Sequence, residues 1–300
     1  MKKNYKILTS VMLILAAFSA VYSQGRTSLY IDAGAGARAH ALGNAYVALA
    51  DDPTAIFWNP AGIDFMQRKS VTFFYSGLPA ESSYGFVGLV MPSVAFGSFG
   101  FGWLRFGTGG IEKRNDPTLI STFDFSEQLF LFSYGKHIKE DLSIGLTFKV
   151  ENLNLDNSLT RFGTDFGLLY RPDLDNPLLR GFSFGLNVQN LLKTKAKLID
   201  TEESSSRNLK LGLMKALYLG ENRNALRFLA DWNKTQGGSS SLHFGGEFSF
   251  RDKATIRLGV NDGLVAFGAG ASYHKFRIDY NFGKLFDGAA FSGNHRFSIT

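Results

Sequence analysis

The sequence predicts an all-β chain: a transmembrane antiparallel β-barrel of about fourteen strands, with an N-terminal helical plug in its lumen. Three observations carry this. The composition combines 29 Phe and 33 Gly with only 19% charged residues, against about 25% charged and about 7% Gly in an average soluble chain. The mean hydropathy is −0.03, whereas a helical membrane bundle needs several apolar stretches of about 20 residues and would score well above zero. From Lys69 onward, one unit recurs, an alternating stretch of about ten residues followed by a turn.

Other classes are excluded in turn. The chain has no Cys, so disulfide scaffolds, thiolate catalysis, thiolate zinc sites and a lipobox anchor are ruled out. Its net charge is +6, and Lys2, Lys3 and Lys6 contribute three of these positive charges. A polybasic nucleic-acid binder is not expected.

The first element is a secretory signal peptide over 1–23. Three lysines form its positive region, Ile7 to Ala20 its apolar stretch, and Val21-Tyr22-Ser23 a small-residue site before Gln24. The alternative, an uncleaved transmembrane anchor, has an apolar core short for a span. Export makes ATP and NAD poor partners, and no cofactor is expected.

The body, 69–300, is read as the barrel. In Leu142-Ser143-Ile144-Gly145-Leu146-Thr147-Phe148-Lys149-Val150-Glu151, even positions are large and apolar and odd ones small, polar or charged, which puts the two sets on opposite faces of a strand. A secreted soluble sandwich also alternates. Strands of about ten residues, a Gly- and Ser-rich polar face and recurrent aromatics favour the membrane barrel. The aromatics Tyr75, Tyr84, Trp103, Tyr134, Tyr170, Trp232, Tyr273 and Tyr280 are assigned to interfacial girdles. The expected strands are 69–77, 83–91, 94–106, 127–138, 141–153, 161–171, 181–190, 207–217, 225–235, 240–251, 253–261, 264–274, 275–284 and 292–300. With both termini periplasmic, the long connections 107–126 and 191–207 fall outside, and 172–180 is long for an inner turn.

Residues 24–68 do not alternate and are read as the plug or hatch, with a periplasmic tether as the alternative. A helix is expected from about Ala37 to Ala50, with Leu42, Ala45, Tyr46 and Leu49 on one stripe. Asp52 would cap a short helix begun by Pro53, and Asn59-Pro60 would stop it. Pro60 lacks an N–H and Gly62 permits positive φ. Arg38, Asp51 and Asp52, placed in a low-dielectric lumen, should pair with wall residues of opposite sign. A rigid turn that seats the plug is the structural reading of Asn59, Pro60, Ala61 and Gly62, and direct ligand contact the functional one. Arg38 is also a candidate clamp for a carboxylate ligand.

The segment from Gly36 to Ile63, Gly-Ala-Arg-Ala-His-Ala-Leu-Gly-Asn-Ala-Tyr-Val-Ala-Leu-Ala-Asp-Asp-Pro-Thr-Ala-Ile-Phe-Trp-Asn-Pro-Ala-Gly-Ile, resembles the N-terminal signature of the PorV/PorQ family. The shared features are Gly36, Arg38, Leu42 and Gly43 at the start, the Asp51-Asp52 pair, and the stop Asn59-Pro60-Ala61-Gly62. That family is similar in fold to the FadL-type transporters of bacterial outer membranes. The resemblance implies a FadL-like barrel with an N-terminal hatch. It leaves two functions open: passage of a hydrophobic small molecule, or docking of secreted proteins as a type IX secretion component. The implied surroundings are outer-membrane lipid.

In Phe96-Gly97-Ser98-Phe99-Gly100-Phe101-Gly102-Trp103, the glycines are three and then two apart. Glycine inside a strand marks a bulge or a close approach. Gly97, Gly100 and Gly102 are therefore candidates for a kinked third strand, which in FadL-type barrels opens a lateral exit. The alternative is that they make room for the plug.

No catalytic motif has its context. Gly181-Phe182-Ser183-Phe184-Gly185 spells a nucleophile elbow but sits inside an alternating strand. His40, His137, His243, His274 and His295 lack metal-ligand spacing. Asp173, Asp175 and Asn176 read equally as a cation site or a solvated turn. The protein is expected to be non-enzymatic.

Overall fold

The computed structural model describes residue 30 and residues 33–78, 82–115, 118–155, 157–174, 176, 179–193, 196–198, 201–203, 205–220, 223–283 and 294–300. The expected signal peptide and the first residues of the expected plug lie outside these.

The strands are β1 (Ser70–Gly77), β2 (Ser82–Met91), β3 (Ser98–Asn115), β4 (Thr118–Lys139), β5 (Leu142–Leu155), β6 (Asn157–Tyr170), β7 (Phe182–Lys193), β8 (Ala196–Leu198), β9 (Thr201–Glu203), β10 (Asn208–Leu219), β11 (Asn224–Thr235), β12 (Ser240–Phe250), β13 (Ala254–Asn261), β14 (Leu264–Tyr273), β15 (Phe276–Gly283) and β16 (Asn294–Ile299). β8 and β9 form a separate small hairpin. The other fourteen close one barrel, each pairing with its neighbours in sequence, and β1 closes on β16 through Phe73↔Ile299 to Ser76↔Arg296. Closure leaves no edge strand exposed in the wall. An even count brings the start of β1 and the end of β16 to the same rim, called here the terminal rim.

The alternation has the sense expected of a lipid-facing wall. In β5, Leu146 and Phe148 are 54% and 47% exposed, while Lys149 and Glu151 on the inner face are 2% and 3% exposed. A soluble sandwich would place them the other way round. Tyr75, Tyr134, Tyr170 and Tyr273 lie on the outer face, in keeping with girdle positions. Tyr84 does not. It takes the lumenal face of β2 beside Phe86, and its hydroxyl donates to the Gly34 carbonyl.

The fourteen expected strands match one to one, with differences at the distal rim. The expected loop 107–126 is largely a continuation of β3 and β4, which stay paired as far as Asn115↔Thr118, with register shifts after Thr108 and Lys113. The expected loop 191–207 contains the end of β7 and the β8–β9 hairpin. The third strand begins at Ser98, after Gly97, and Gly100 and Gly102 are paired without interruption to both β2 and β4. The bend expected at these glycines is therefore not there. Gly97, at φ +85°, belongs to the turn before the strand. Gly100 and Gly102 face the lumen, where an added methyl would come within 2.8 Å and 3.1 Å of Ile56.

Inside the barrel, residues 33–65 form α1 (Ala37–Ala41), α2 (Ala55–Trp58) and a 3-10 turn (Pro60–Phe65) joined by turns. The single helix expected over Ala37–Ala50 is not formed. Gly43 and Asn44 both take positive φ, and the Asn44 N–H returns to the Ala39 carbonyl, which ends α1 after Ala41. Leu42, Ala45, Tyr46 and Leu49 are all buried, but not as one helical stripe.

Candidate functional site: the lumen and the segment that fills it

The segment runs the height of the barrel. At one end Tyr30 lies near Asn190, toward the distal rim. At the other, the Asp64 carboxylate accepts from Ser98 Oγ at 2.6 Å and from the His137 backbone at 2.6 Å, and also meets the His137 ring, all at the terminal rim. From Ala33 to Ile63 the apolar side chains are at most 2% exposed.

On the β11–β15 side the contacts are ionic. Arg38, on α1, donates through Nε and Nη2 to Glu247 at 2.9 and 3.0 Å, and through Nη1 to Asp51 at 2.5 Å and Tyr46 at 3.2 Å. Glu247 also accepts from Arg257 at 2.6 Å and Arg227 at 2.8 Å. Asp52 accepts from Tyr46 at 2.7 Å and from Arg277 at 2.9 Å, and Asp279 pairs with both Arg277 and Arg257. Four arginines thus meet four carboxylates through direct contacts. A buried ion survives only when paired and hydrogen-bonded. Burial pushes the Asp51 carboxyl up, but Arg38, with Arg277 and Arg171, outweighs it and holds it below its ordinary value. The guanidinium considered as a ligand clamp is occupied by protein carboxylates. Close by, Asp231 on β11 accepts the Tyr46 and Val47 N–H groups at 2.8 and 2.9 Å, satisfying the turn after α1.

His40, also on α1, has its two ring nitrogens 2.6 Å from the Gly36 and Ala33 carbonyls and stacks on Phe74. Burial, reinforced by Arg296, lowers its pKa to about 3 against the pull of those carbonyls.

The motif that stops the segment is seated by close approach to the wall. Asn59 Oδ1 accepts from the Ala61 N–H, and its amide donates to Val47 at 2.9 Å and Leu168 at 3.0 Å. Pro60 opens the 3-10 turn, and a methyl on Gly145 of β5 would overlap the Pro60–Ala61 peptide. Gly62 is not at positive φ. Its hydrogen is needed because a methyl there would strike Ala50. Gly36 and Gly43 do take positive φ, at 90° and 65°, and Gly43 packs against the Val260 backbone. Asp52 accepts from Thr54 N at 2.9 Å and organises the turn into α2.

The remaining chemistry is structural. Ser183, the elbow serine, donates to the Ala48 carbonyl at 2.7 Å, and Gly185 lies against Val47. Ser98, Asp64 and His137 meet, but the serine donates to the carboxylate rather than to the imidazole. Among the described residues, no group of three or more His, Asp or Glu is arranged to hold a metal. Asp175 lies outside the described residues.

Sequence reasoning placed Arg38 and the Asp51–Asp52 pair in the lumen but did not find Glu247, Arg257, Arg277, Asp279 or Asp231. Their signal was charge at inward positions of alternating strands.

The chain shares its fold with the Pseudomonas putida toluene transporter TodX, with a TM-score of 0.58 and 13% identity over 89% of this chain and 96% of that one. A deltaS2 mutant of the TodX monoaromatic hydrocarbon channel matches with a TM-score of 0.56 and 14% identity, covering 89% and 97% of the two chains. At such identities the likeness is one of fold alone. No family model and no curated protein matches the chain.

Proposed function

We propose that this is an outer-membrane barrel of PorV/PorQ type that binds and passes hydrophobic small molecules, with residues 24–68 as its hatch and 1–23 as a cleaved signal peptide. The observation that carries the reading is the fold held in common, over nearly the whole of both chains, with a toluene transporter. The inverted polarity of the wall supports a membrane position, and the ionic contacts supply a closed state whose release would open a path.

The hatch is tested by locking it. The chain has no Cys, so cysteines introduced at Ala37 and Ser298, where the Ala37 N–H meets Ser298 Oγ at 2.8 Å, would be its only thiols, and non-reducing gel mobility shows whether they cross-link. In proteoliposomes, uptake of toluene or a long-chain fatty acid should be blocked when the pair is oxidised and restored on reduction. Equal uptake in both states would reject a moving hatch.

A second reading, docking of secreted proteins or type IX secretion components, is favoured by the densely packed lumen together with the long β3–β4 hairpin. Stoichiometric retention of a secreted protein by the purified barrel, with no uptake in either redox state, would select it.

A further inference from the structure

Most strand glycines of this barrel face inward, where the segment leaves no room for a side chain. Gly245 on β12 is one, with a methyl there meeting Leu42. Its neighbour Gly246 faces outward, and a methyl on it would meet only the Leu258 carbonyl, at 4.0 Å. Its φ is not positive. Glycine in a strand interior weakens the strand and commonly marks a place where something else approaches closely. Nothing within the wall occupies that place.

Gly246 pairs with Phe228 on β11 and Leu258 on β13, and Ala230, also small and outward, pairs with Phe244. Leu213, Phe228, Phe244 and Leu258 stand 40–51% exposed around these two small residues. They line an open, shallow cleft of about 500 Å³ on the outer face. Lys215 stands at its edge, opposite Phe228 in the register and between the outward Leu213 and Leu217. A cation on a lipid-facing surface is costly unless it reaches the polar layer. Lys215 does so, donating to the Arg180 carbonyl at 2.6 Å and passing over the Phe182 ring at 4.5 Å, toward the terminal rim. Arg180, exposed, adds a second cation there.

We propose that this cleft binds one anionic phospholipid, an acyl chain lying over Gly246 and Ala230 and the phosphate set against Lys215. An apolar trough that ends in a cation at the interface matches an anionic amphiphile in both parts. The inference rests on the outer-membrane reading, and does not depend on whether the lumen transports or docks.

The test uses the full-length barrel in nanodiscs of equal parts phosphatidylglycerol and phosphatidylcholine with identical acyl chains. Lipid retained after detergent extraction is counted by native mass spectrometry. One phosphatidylglycerol should be retained in about fivefold preference to phosphatidylcholine, the effect of one interfacial lysine. Lys215→Gln should bring the ratio near one. Gly246→Leu should abolish retention of both lipids, and Ala230→Leu repeats that test from the adjacent strand. Heat-dependent gel mobility reports that each variant still closes its barrel. Equal retention of the two lipids by the unaltered protein, or retention unchanged by filling the cleft, would overturn the proposal. A closed barrel that does not enter bilayers at all would instead reject the membrane reading on which it rests.

Discussion

On the β3–β6 side of the lumen the segment is seated mainly on glycine, whereas on the β11–β15 side glycine contacts at Gly245, Gly259 and Gly268 are joined by a cluster of buried charge. Ile56 lies against Gly100 and Gly102, Ile63 against Gly135, and Pro60 against Gly145 and Gly167. Across the barrel, Arg38 and Asp52 reach Glu247 and Arg277. The glycine contacts depend on shape and short-range dispersion and are indifferent to pH. The ionic contacts depend on balance, so losing one group strands its partners. One segment is therefore held by a fixed seat and by an ionic latch.

The largest break in this comparison should come from Glu247→Gln. It leaves Arg38, Arg227 and Arg257 around a neutral amide, and removing one partner of a buried ion pair costs roughly 3–5 kcal/mol. Denaturant unfolding in lipid vesicles, followed by the fluorescence of Trp58, buried at 1% exposure, should show that loss. Protease access to residues 37–52 should rise as well. An unchanged midpoint would mean that the cluster does not hold the segment.

Gly145→Ala probes the other side. The added methyl collides with backbone rather than with a movable side chain tip, and overpacking of this kind costs about 1–3 kcal/mol. The loss should be the same at pH 7 and pH 5, and a loss that varied with pH would show that the two sides are not independent.

The smallest effect per step is acid sensitivity. His40 has its pKa lowered from 6.5 to about 3, by burial and then by Arg296. Between those values the unfolded chain holds the extra proton, so stability is complete above pH 6.5 and declines as pH falls through the window. The slope is about 1.4 kcal/mol per pH unit, or tenfold in opening. Asp51, held below 3.8, keeps its whole contribution down to about pH 3.8 and loses it as pH falls further. Hydrogen exchange should therefore accelerate at 37–41 before 55–63 on acidification, and His40→Asn should flatten the difference. Parallel acceleration of both stretches would erase the distinction between seat and latch.

The wall was readable because its signal is local. Alternation in Leu142–Glu151 or Phe276–Phe282 needs only neighbouring residues, and all fourteen strands could be placed from it. Toward the distal ends of β3 and β4 alternation is weaker, and the hairpin read as a loop. The inner segment was legible as a distinct region but not in its geometry. Ala-rich periodicity suggested one helix through Ala50, while Gly43-Asn44, a helix-ending pair, carried the decisive local information. Its wall partners lay beyond local reading altogether. That Arg38 faces Glu247, 209 residues away, depends on how the segment is threaded through a closed barrel, and no spacing in the chain encodes it. The same holds for the third-strand glycines, whose purpose follows from Ile56 on a different element.

The threading also bears on how the molecule is made. The Ala37 N–H, at the start of α1, finds its partner in Ser298 of the last strand, 261 residues later. The earliest part of the inner segment thus waits for the latest part of the wall. Contacts of such long range are slow to form, and here the wall must close around its contents, as a mould closes on a core. A faulty segment should then betray itself first as a failure of the β1–β16 seam during assembly, before any change in the finished lumen is seen.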